Sequence, residues 1–530
     1  MPNYIKEVYI NGFKKFKRFS AKLNEDMNII IGDNESGKST FLEAINISIN
    51  QLYKNADKSC LEELFNNDDI RNFKINPCIS TLPKIIIDIV FDIDDVPKNI
   101  DFYGSTYSLI TNKDEMFGIE FKCELENQTA NDLIKEILSG KIPFEYYTLS
   151  WSGFSGEPYQ LRKKPINYIF IDSSENRGNV YDYYAKNLFQ NKYNNGNEIP
   201  YKFLFNSKVK DIFDKLSLPE IEPNRKFGLN TKKIILENLL GIFDSEVLLE
   251  NKGKGKENLI KTEIALGKNI GSDVISIEEP ENHLSHINLR KMIKNIENNK
   301  NDKQLIITTH NNSIVTRFDL DKVLWINECN NTLDSLVNVC GKVKEYFIKL
   351  ENNNLLKFIL SPKVILVEGP TEYLMVGYIY KKMYYKSLEE DGIDIISCNG
   401  ITYKNYIEIA RFLSNKVAIL TDNDGDQSKV DDINKFNLDS QKICVFTEQS
   451  TSLFTWEKCL LEKNRNNKDF MKLINLSPNA QYKVGGKDPE TKELGYMLNH
   501  KVEFAFSIIN SNIEIDVPTY VKEALKWIKK

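Results

Sequence analysis

Two short acidic groups in the last third of the chain, Glu368 with Glu372 and Asp422 with Asp424, have the residue types and spacing that point first to chemistry. Clustered carboxylates repel one another unless a cation intervenes, and an all-oxygen donor set suits Mg²⁺ or Mn²⁺. Read singly, either group is as consistent with an N-capped helix or an acidic turn. Their positions add the weight. Val364-Ile-Leu-Val367 is an apolar, β-branched run without alternation, the pattern of a parallel strand covered on both faces, and Glu368 stands at its carboxyl end. Open α/β sheets place their ligand sites at such ends. Gly369 and Pro370 then turn into a helix whose first turn carries Glu372. Val417-Ala-Ile-Leu420 is a second strand that runs through Thr421 to Asp422. Residues two apart on an extended chain share a face, so the spacing predicts that Asp422 and Asp424 lie side by side.

A strand-Glu-Gly-x-x-Glu unit followed by a strand-Asp-x-Asp unit resembles the TOPRIM domain of topoisomerases, primases and certain nucleases. The resemblance covers about the last third of the chain. It does not choose among strand cleavage, religation, primer synthesis and binding, because one fold hosts all of these.

The amino-terminal part carries a second site. Ile5 to Phe13 and Phe16 to Leu23 read as strands that lead to Met27-Asn-Ile-Ile-Ile31, which runs into Gly32-Asp-Asn34-Glu-Ser-Gly37-Lys38-Ser39-Thr40 and a helix over Phe41 to Ile49. This is G-x-x-x-x-G-K-S between a strand and a helix. Its glycines let backbone N–H groups wrap phosphate oxygens, Lys38 reaches the terminal phosphates, and Ser39 offers a hydroxyl to Mg²⁺. Further on, Asp273-Val-Ile-Ser-Ile-Glu278-Glu279 is a strand ending in two acids, and Gln304-Leu-Ile-Ile-Thr-Thr-His310 a strand delivering a histidine. Glu278 would hold the Mg²⁺ of ATP, Glu279 would polarise the attacking water, and His310 would sense the γ-phosphate.

The order of these motifs resembles ABC-type ATPase heads, particularly those of chromosome-maintenance and DNA-repair proteins. Lys252-Gly-Lys-Gly255-Lys-Glu-Asn258 stands where such heads carry their signature loop, and His283-Leu284-Ser285 stands at the D-loop. The signature is degenerate, and the Mg²⁺-side acid is Glu278 rather than Asp. Between the two halves the chain is too short and too broken for a long coiled coil.

At 530 residues with 41% hydrophobic content the chain has room for several cores, and a net charge of −5 gives no global basic signature for nucleic acid. Any DNA contact must be local. Candidates are Lys14-Lys15 with Lys17-Arg18, Arg162-Lys163-Lys164, and Lys381-Lys382 with Lys386. The eight cysteines form no C-x-x-C pair, the start of the chain has no signal-sequence pattern, and no stretch approaches a membrane span. A cytoplasmic protein without membrane contact is the expectation.

The expected fold is α/β, an ABC-type P-loop ATPase domain with a helical insertion, followed by a TOPRIM domain with a Rossmann-like, mainly parallel sheet. The ATPase spans 1–175 and 245–345, the insertion 176–244, and the TOPRIM domain with its C-terminal helices 362–530. In the insertion, Ile212, Phe213 and Leu216, and then Ile234, Ile235, Leu239 and Leu240, have the spacing of packed helices. Near the end, Lys442 to Phe446 reads as a strand, Thr451 to Leu461 as a helix, Lys501 to Ile509 as another, and Val521, Ala524, Leu525 and Ile528 as the core face of a last one.

An ABC-type head fused to a TOPRIM domain is similar to the OLD (overcoming lysogenization defect) family over nearly the whole chain. That resemblance implies a nuclease site of Glu368, Glu372, Asp422 and Asp424, a Thr455-x-Glu457 pair and a distal Lys501. It also implies homodimers or higher homo-oligomers through the insertion, and bacterial anti-phage defence, with a partner protein from a defence operon, as in Gabija or retron modules. The reading is an ATP-regulated DNA endonuclease that depends on Mg²⁺ or Mn²⁺. The alternative is an ATP-gated DNA clamp or phage sensor that does not cut.

Overall fold

The computed structural model describes residues 3–54, 58–111, 114–161, 163–172, 199–216, 220–222, 225–226, 236–267, 271–299, 303–327, 330–349, 354–398, 403–477, 482 and 489–530. The chain divides into two compact units, Met1–Ser335 and Leu336–Lys530. The expected helical insertion lies largely outside the described residues. Of it, the helix Ile199–Asp214 is described, and Ile212 and Leu216 on and after it are exposed rather than packed.

The first unit is built on a 12-stranded mixed sheet. Its antiparallel part joins Tyr4–Phe13 to Phe16–Lys22 and to Ile85–Asp92, which pairs in turn with Met116–Glu124. The parallel part sets Met27–Ile31 beside Gln304–Thr309, then Val274–Glu278, then Tyr168–Asp172. The apolar runs predicted as buried strands take these central places: every residue of Met27–Ile31 and Gln304–Thr309 is buried. Continuous Ile runs suit this position because both faces of a parallel strand are covered. The register brings Glu278 opposite Asp172 on one side and Thr308 on the other, and Thr309 opposite Ile31. The carboxyl ends that carry the phosphate loop, the paired acids and the histidine therefore meet at one edge.

In the second unit four parallel strands lie in the order Ile393–Ser397, Lys363–Val367, Lys416–Leu420, Ile443–Phe446. The chain moves outward from Lys363–Val367 to Ile393–Ser397 and then crosses back to Lys416–Leu420. The topological switch point thus falls between the two strands that end at Glu368 and Asp422. The last helix, Thr519–Lys529, buries Val521, Ala524, Leu525 and Ile528 as its spacing predicts. The second unit begins at Leu336, ahead of residue 345, the expected end of the ATPase domain. Phe347 and Phe358 of the helices Gly341–Lys349 and Leu355–Leu360 both pack edge-on against Tyr406, which ties them to its core. The expected helix from Thr451 starts only at Trp456, because Thr455 caps it by accepting from the Lys458 N–H at 3.3 Å.

Candidate active site

In the first unit the phosphate loop has the geometry its sequence requires. Gly37 has φ +107°, and a Cβ there would stand 2.6 Å from the Phe16 ring, so only glycine serves. A Cβ on Gly32 would meet Ser36 Oγ at 2.3 Å. The helix Lys38–Asn50 follows and is anchored by buried Phe41, Leu42 and Ile45. Lys38 Nζ donates to the carbonyls of Gly32 at 2.7 Å and Asp33 at 2.9 Å. Burial lowers its ammonium from the ordinary range, against the pull of Glu279, Asp33, Glu281 and Glu278. A cavity of about 730 Å³ beside it is lined by Asn34, Lys38, Ser39, Thr40, Glu279 and the Lys14-Lys15 turn.

Glu278 and Glu279 sit in different surroundings. Burial pushes the Glu278 carboxyl up to about 7, with Asp172, Glu279 and Glu43 adding to the effect and the Ser39 hydroxyl opposing it. Glu278 and Ser39 thus face each other, the pairing expected around the Mg²⁺ of a bound nucleotide. Glu279 leaves the strand at φ +42°, a left-handed conformation held by its N–H to the Thr308 carbonyl at 3.0 Å. Its Oε2 accepts from Asn282 at 2.9 Å and its Oε1 lies 3.3 Å from His310 Nδ1. One residue that the sequence reading left unassigned completes the edge. Glu281 Oε1 accepts from Thr309 Oγ1 at 2.6 Å and from the His310 N–H at 3.0 Å, and so orients the histidine. Nothing in a strand-Glu-Glu-Pro-Glu string separates that role from a solvent-facing acid.

Gly255 in the expected signature region is held tightly, since a Cβ there would lie 2.2 Å from the His283 carbonyl oxygen of the expected D-loop. Replacing Glu279 by Gln keeps volume and removes the expected base. Nucleotide affinity should stay near wild type while turnover falls on the order of 10²–10⁴-fold, the usual contribution of a positioned base. Measuring both on one preparation checks this, and equal turnover would remove Glu279 from the chemistry.

In the second unit Glu368 leaves its strand at the switch point and accepts from the Asp422 N–H at 3.2 Å and from the Thr421 hydroxyl. Neighbouring strand ends thus lock the two motifs together. Glu372 Oε2 accepts from the Gly369 N–H at 3.1 Å, which both caps its own helix and orients the carboxylate. Glu457, on the helix Trp456–Asn464, is 2% exposed and buried. Lys501 Nζ, from the helix Lys501–Ser511, lies 3.0 Å from Glu457 Oε1, yet neither Glu457 oxygen receives a well-directed hydrogen bond from the described residues.

These groups act on one another. Burial raises the Asp422 carboxyl to about 8, and Glu368, Glu457 and Glu372 push the same way while Lys501 opposes. Glu372 is raised by burial and then by Glu457 and Glu368. Burial works against the Lys501 ammonium, but Glu457, then Glu372 and Asp422, outweigh it and hold it above its ordinary range.

The expectation that Asp422 and Asp424 share a face is corrected. The strand ends at Leu420, and Asn423, 1% exposed, is pinned by donating to the carbonyls of Glu448 at 2.8 Å and Ser450 at 3.0 Å. Asp424 then turns at φ +53° and pairs with Lys429 at 2.7 Å. Asp422 is acted on by Glu368, Glu457, Glu372 and Lys501, and Lys429 by Asp424 and Glu368, so Glu368 acts on both groups. Thr455 serves as a helix cap beside Glu457.

The basic runs are largely engaged within the chain. Lys14 pairs with Glu43, Lys17 lies 3.9 Å from Asp69, Lys163 lies 3.0 Å from Asp101, and Lys386 lies 3.6 Å from Asp391. Arg162 lies outside the described residues. Among the described residues no helix is long and apolar enough to cross a membrane.

Two family models match the chain. Residues 4–240 match the AAA ATPase domain family, and residues 359–424 match the TOPRIM domain of overcoming lysogenization defect protein-like proteins. No curated protein matches the chain. Among solved structures, the SMC head domain from Thermotoga maritima is 14% identical over 63% of this chain and 98% of its own, with a TM-score of 0.29. The C-terminal region of the Xanthomonas campestris pv. campestris OLD protein is 21% identical over 32% of this chain and 92% of its own, with a TM-score of 0.25. The corresponding region of the Burkholderia pseudomallei OLD protein is 17% identical over 32% of this chain and 98% of its own, with a TM-score of 0.26.

The fold and the two sites define a P-loop ATPase joined to a TOPRIM domain. Residues 359–424 are similar to the TOPRIM domain of OLD-like proteins, an architecture that suggests nuclease activity, and the ATPase domain implies ATP binding.

Proposed function

We propose that the protein is an ATP-regulated, divalent-metal-dependent DNA endonuclease of bacterial anti-phage defence, acting in the cytoplasm as a homodimer or higher homo-oligomer, with a partner protein from the same defence operon. The observation that carries the nuclease reading is that Glu368, Glu457 and Glu372 all act on the buried Asp422 carboxyl, with Lys501 3.0 Å from Glu457, at the switch point of a parallel sheet. The donor set is chemically suited to Mg²⁺ or Mn²⁺, being all carboxylate oxygen with the two Glu457 oxygens buried without directed donors among the described residues. Binding would have to draw it together, since no three of the described His, Cys, Asp or Glu side chains are already arranged around an ion position.

Glu368, Glu372, Asp422, Asp424 and Glu457, with Thr455 beside them, would hold the ions, which when bound supply water activation and stabilisation of the leaving oxygen. The chain supplies the rest. Thr421 and the Asp422 N–H aim Glu368, and Asn423 sets the path between Asp422 and Asp424. Lys501, 3.0 Å from Glu457, presents an ammonium toward charge that develops on the phosphate. In the other unit Gly32, Asn34, Gly37, Lys38, Ser39 and Thr40 cradle the nucleotide, with Glu278 on the Mg²⁺ side, Glu279 as base and His310 as γ-phosphate sensor.

Supercoiled plasmid incubated with and without Mg²⁺, Mn²⁺ and ATP tests the reading. Metal-dependent loss of supercoiling is expected, and DNA binding without cutting would give the site to a clamp. Lys501→Ala should slow cleavage on the order of 10²–10³-fold in single turnover and leave DNA binding near wild type. Wild-type cleavage by that variant would assign Lys501 to the helix surface alone.

A further inference from the structure

We propose that Lys429 is a positioning residue that occupies the Asp424 part of the carboxylate cluster with its own charge, so that a divalent cation must displace it from Asp424 to bind there. The inference rests on the metal reading above and adds a residue that reading does not contain.

Lys429 Nζ lies 2.7 Å from Asp424 Oδ2, and its charge is felt by Glu368 and by Tyr403, which precedes the helix Lys404–Ala410. The pair is not an ordinary helix-surface bridge. Asp424 lies outside the helix Gln427–Asp439 that carries Lys429, and the two are five residues apart rather than the three or four of a helical pair. The backbone is bent to bring them together. Asp424 has φ +53°, its N–H donates to the Phe454 carbonyl at 3.2 Å, Gly425 follows at φ +74°, and Asp426 caps the helix by accepting from the Ser428 N–H at 2.8 Å. Asn423 holds the other flank of this turn. The lysine side chain is 25% exposed, so its ammonium is drawn in toward the site rather than spread over the surface.

A second lysine is set against a carboxylate of the cluster where Lys501 lies 3.0 Å from Glu457. There the partner is buried, and the ammonium is built into the wall. Beside Lys429 the Asp424 side chain is 66% exposed, so the pair can open without exposing a core. A cation arriving at Glu368 and Asp424 would meet a like charge within a few ångströms, and that repulsion lowers its affinity until Lys429 turns aside. Lys429 also keeps Asp424 oriented, and released from it the ammonium would remain beside the phosphate of a bound strand.

The test is a Mn²⁺ titration of the full-length, chelator-treated protein, following free Mn²⁺ by its electron paramagnetic resonance signal. Lys429→Met removes the competing charge and keeps the length of the side chain. It should tighten the weakest measurable Mn²⁺ affinity by at least about tenfold, a lower bound for removing a unit charge a few ångströms away that can turn partly aside. Lys429→Gln should act in the same direction, and Lys429→Arg should return the affinity to near wild type. Circular dichroism melting confirms that each variant is folded. Wild-type or weaker Mn²⁺ affinity in both Lys429→Met and Lys429→Gln overturns the proposal. If the wild-type protein itself binds no Mn²⁺, the metal reading falls and this inference falls with it. Wild-type binding that Asp422→Asn weakens and neither Lys429 variant alters leaves the metal reading standing and removes only the lysine.

Discussion

Asp422→Asn is expected to reduce DNA cleavage by more than about 100-fold and, in the metal-free protein, to raise thermal stability at alkaline pH. The first effect follows from the loss of one anionic donor in the centre of the acid cluster; loss of a mere outer partner of a metal ligand already costs roughly 10–100-fold. The second follows from the price of burying that charge. Burial, with Glu368, Glu457 and Glu372 around it, raises the Asp422 carboxyl from the ordinary 3.8 to about 8. A group whose folded-state pKa is raised adds stability that is fully present below its unfolded pKa and is lost as pH rises through the folded one. The penalty therefore grows from about pH 4 and is complete above about pH 8. Its size is on the order of a few kcal/mol, since one pKa unit corresponds to about 1.4 kcal/mol. Asparagine does not titrate. Melting in excess chelator should show the variant several degrees above wild type at pH 8.5 and the two converging toward pH 4.5. Parallel melting curves across that range would mean that Asp422 carries no buried charge. The same linkage predicts that Mn²⁺ affinity of the wild-type protein rises as pH approaches 8, because binding must release the proton that Asp422 holds below it.

Lys38→Ala should weaken ATP binding by at least about 100-fold and reduce turnover to background. The ammonium lies within 2.7–2.9 Å of the Gly32 and Asp33 carbonyls and faces Glu278, Glu279 and Glu281. A nucleotide triphosphate brings further negative charge to that edge, so without Lys38 three glutamates and the phosphates stand uncompensated. Burial makes the effect larger than for a solvent-exposed lysine. Titration with a fluorescent ATP analogue measures the loss, and retained affinity would show that the backbone amides of the loop suffice. Because Lys38 and the carboxylate cluster belong to different compact units, Mn²⁺ binding by the variant should match wild type. Plasmid cleavage by the same variant, with and without ATP, then reports whether nucleotide restrains or promotes cutting.

Much of both sites is readable without coordinates because it depends on short-range chemistry. A run such as Met27–Ile31 or Val364–Val367 has nowhere to bury its β-branched side chains except the middle of a parallel sheet, and the first charged or glycine residue after it marks the strand's end. Gly32, Gly37, Lys38 and Ser39 are set by the needs of a phosphate, and Glu368 and Glu372 by a strand end followed by a helix start. Glu457 and Lys501 are different. Their own neighbourhoods in sequence resemble any capped helix and any helical lysine, and only the likeness to a family singled them out.

What the chain alone determined, then, is its strands, its phosphate loop and the edges on which its acids stand, because hydrophobic burial and backbone geometry act over a few residues. Tertiary structure decided which of those acids meet. Parallel register set Glu278 against Asp172, and the crossing at the switch point set Glu368 against Thr421 and the Asp422 N–H. A pinned Asn423 and a left-handed Asp424 sent one carboxylate of the Asp-x-Asp pair to Lys429 instead of beside its neighbour. Packing of the helix Lys501–Ser511 put an ammonium 3.0 Å from a glutamate 44 positions earlier. These are contacts between side chains distant in sequence, and their electrostatic energies depend on separation and burial, which no local pattern of residues records.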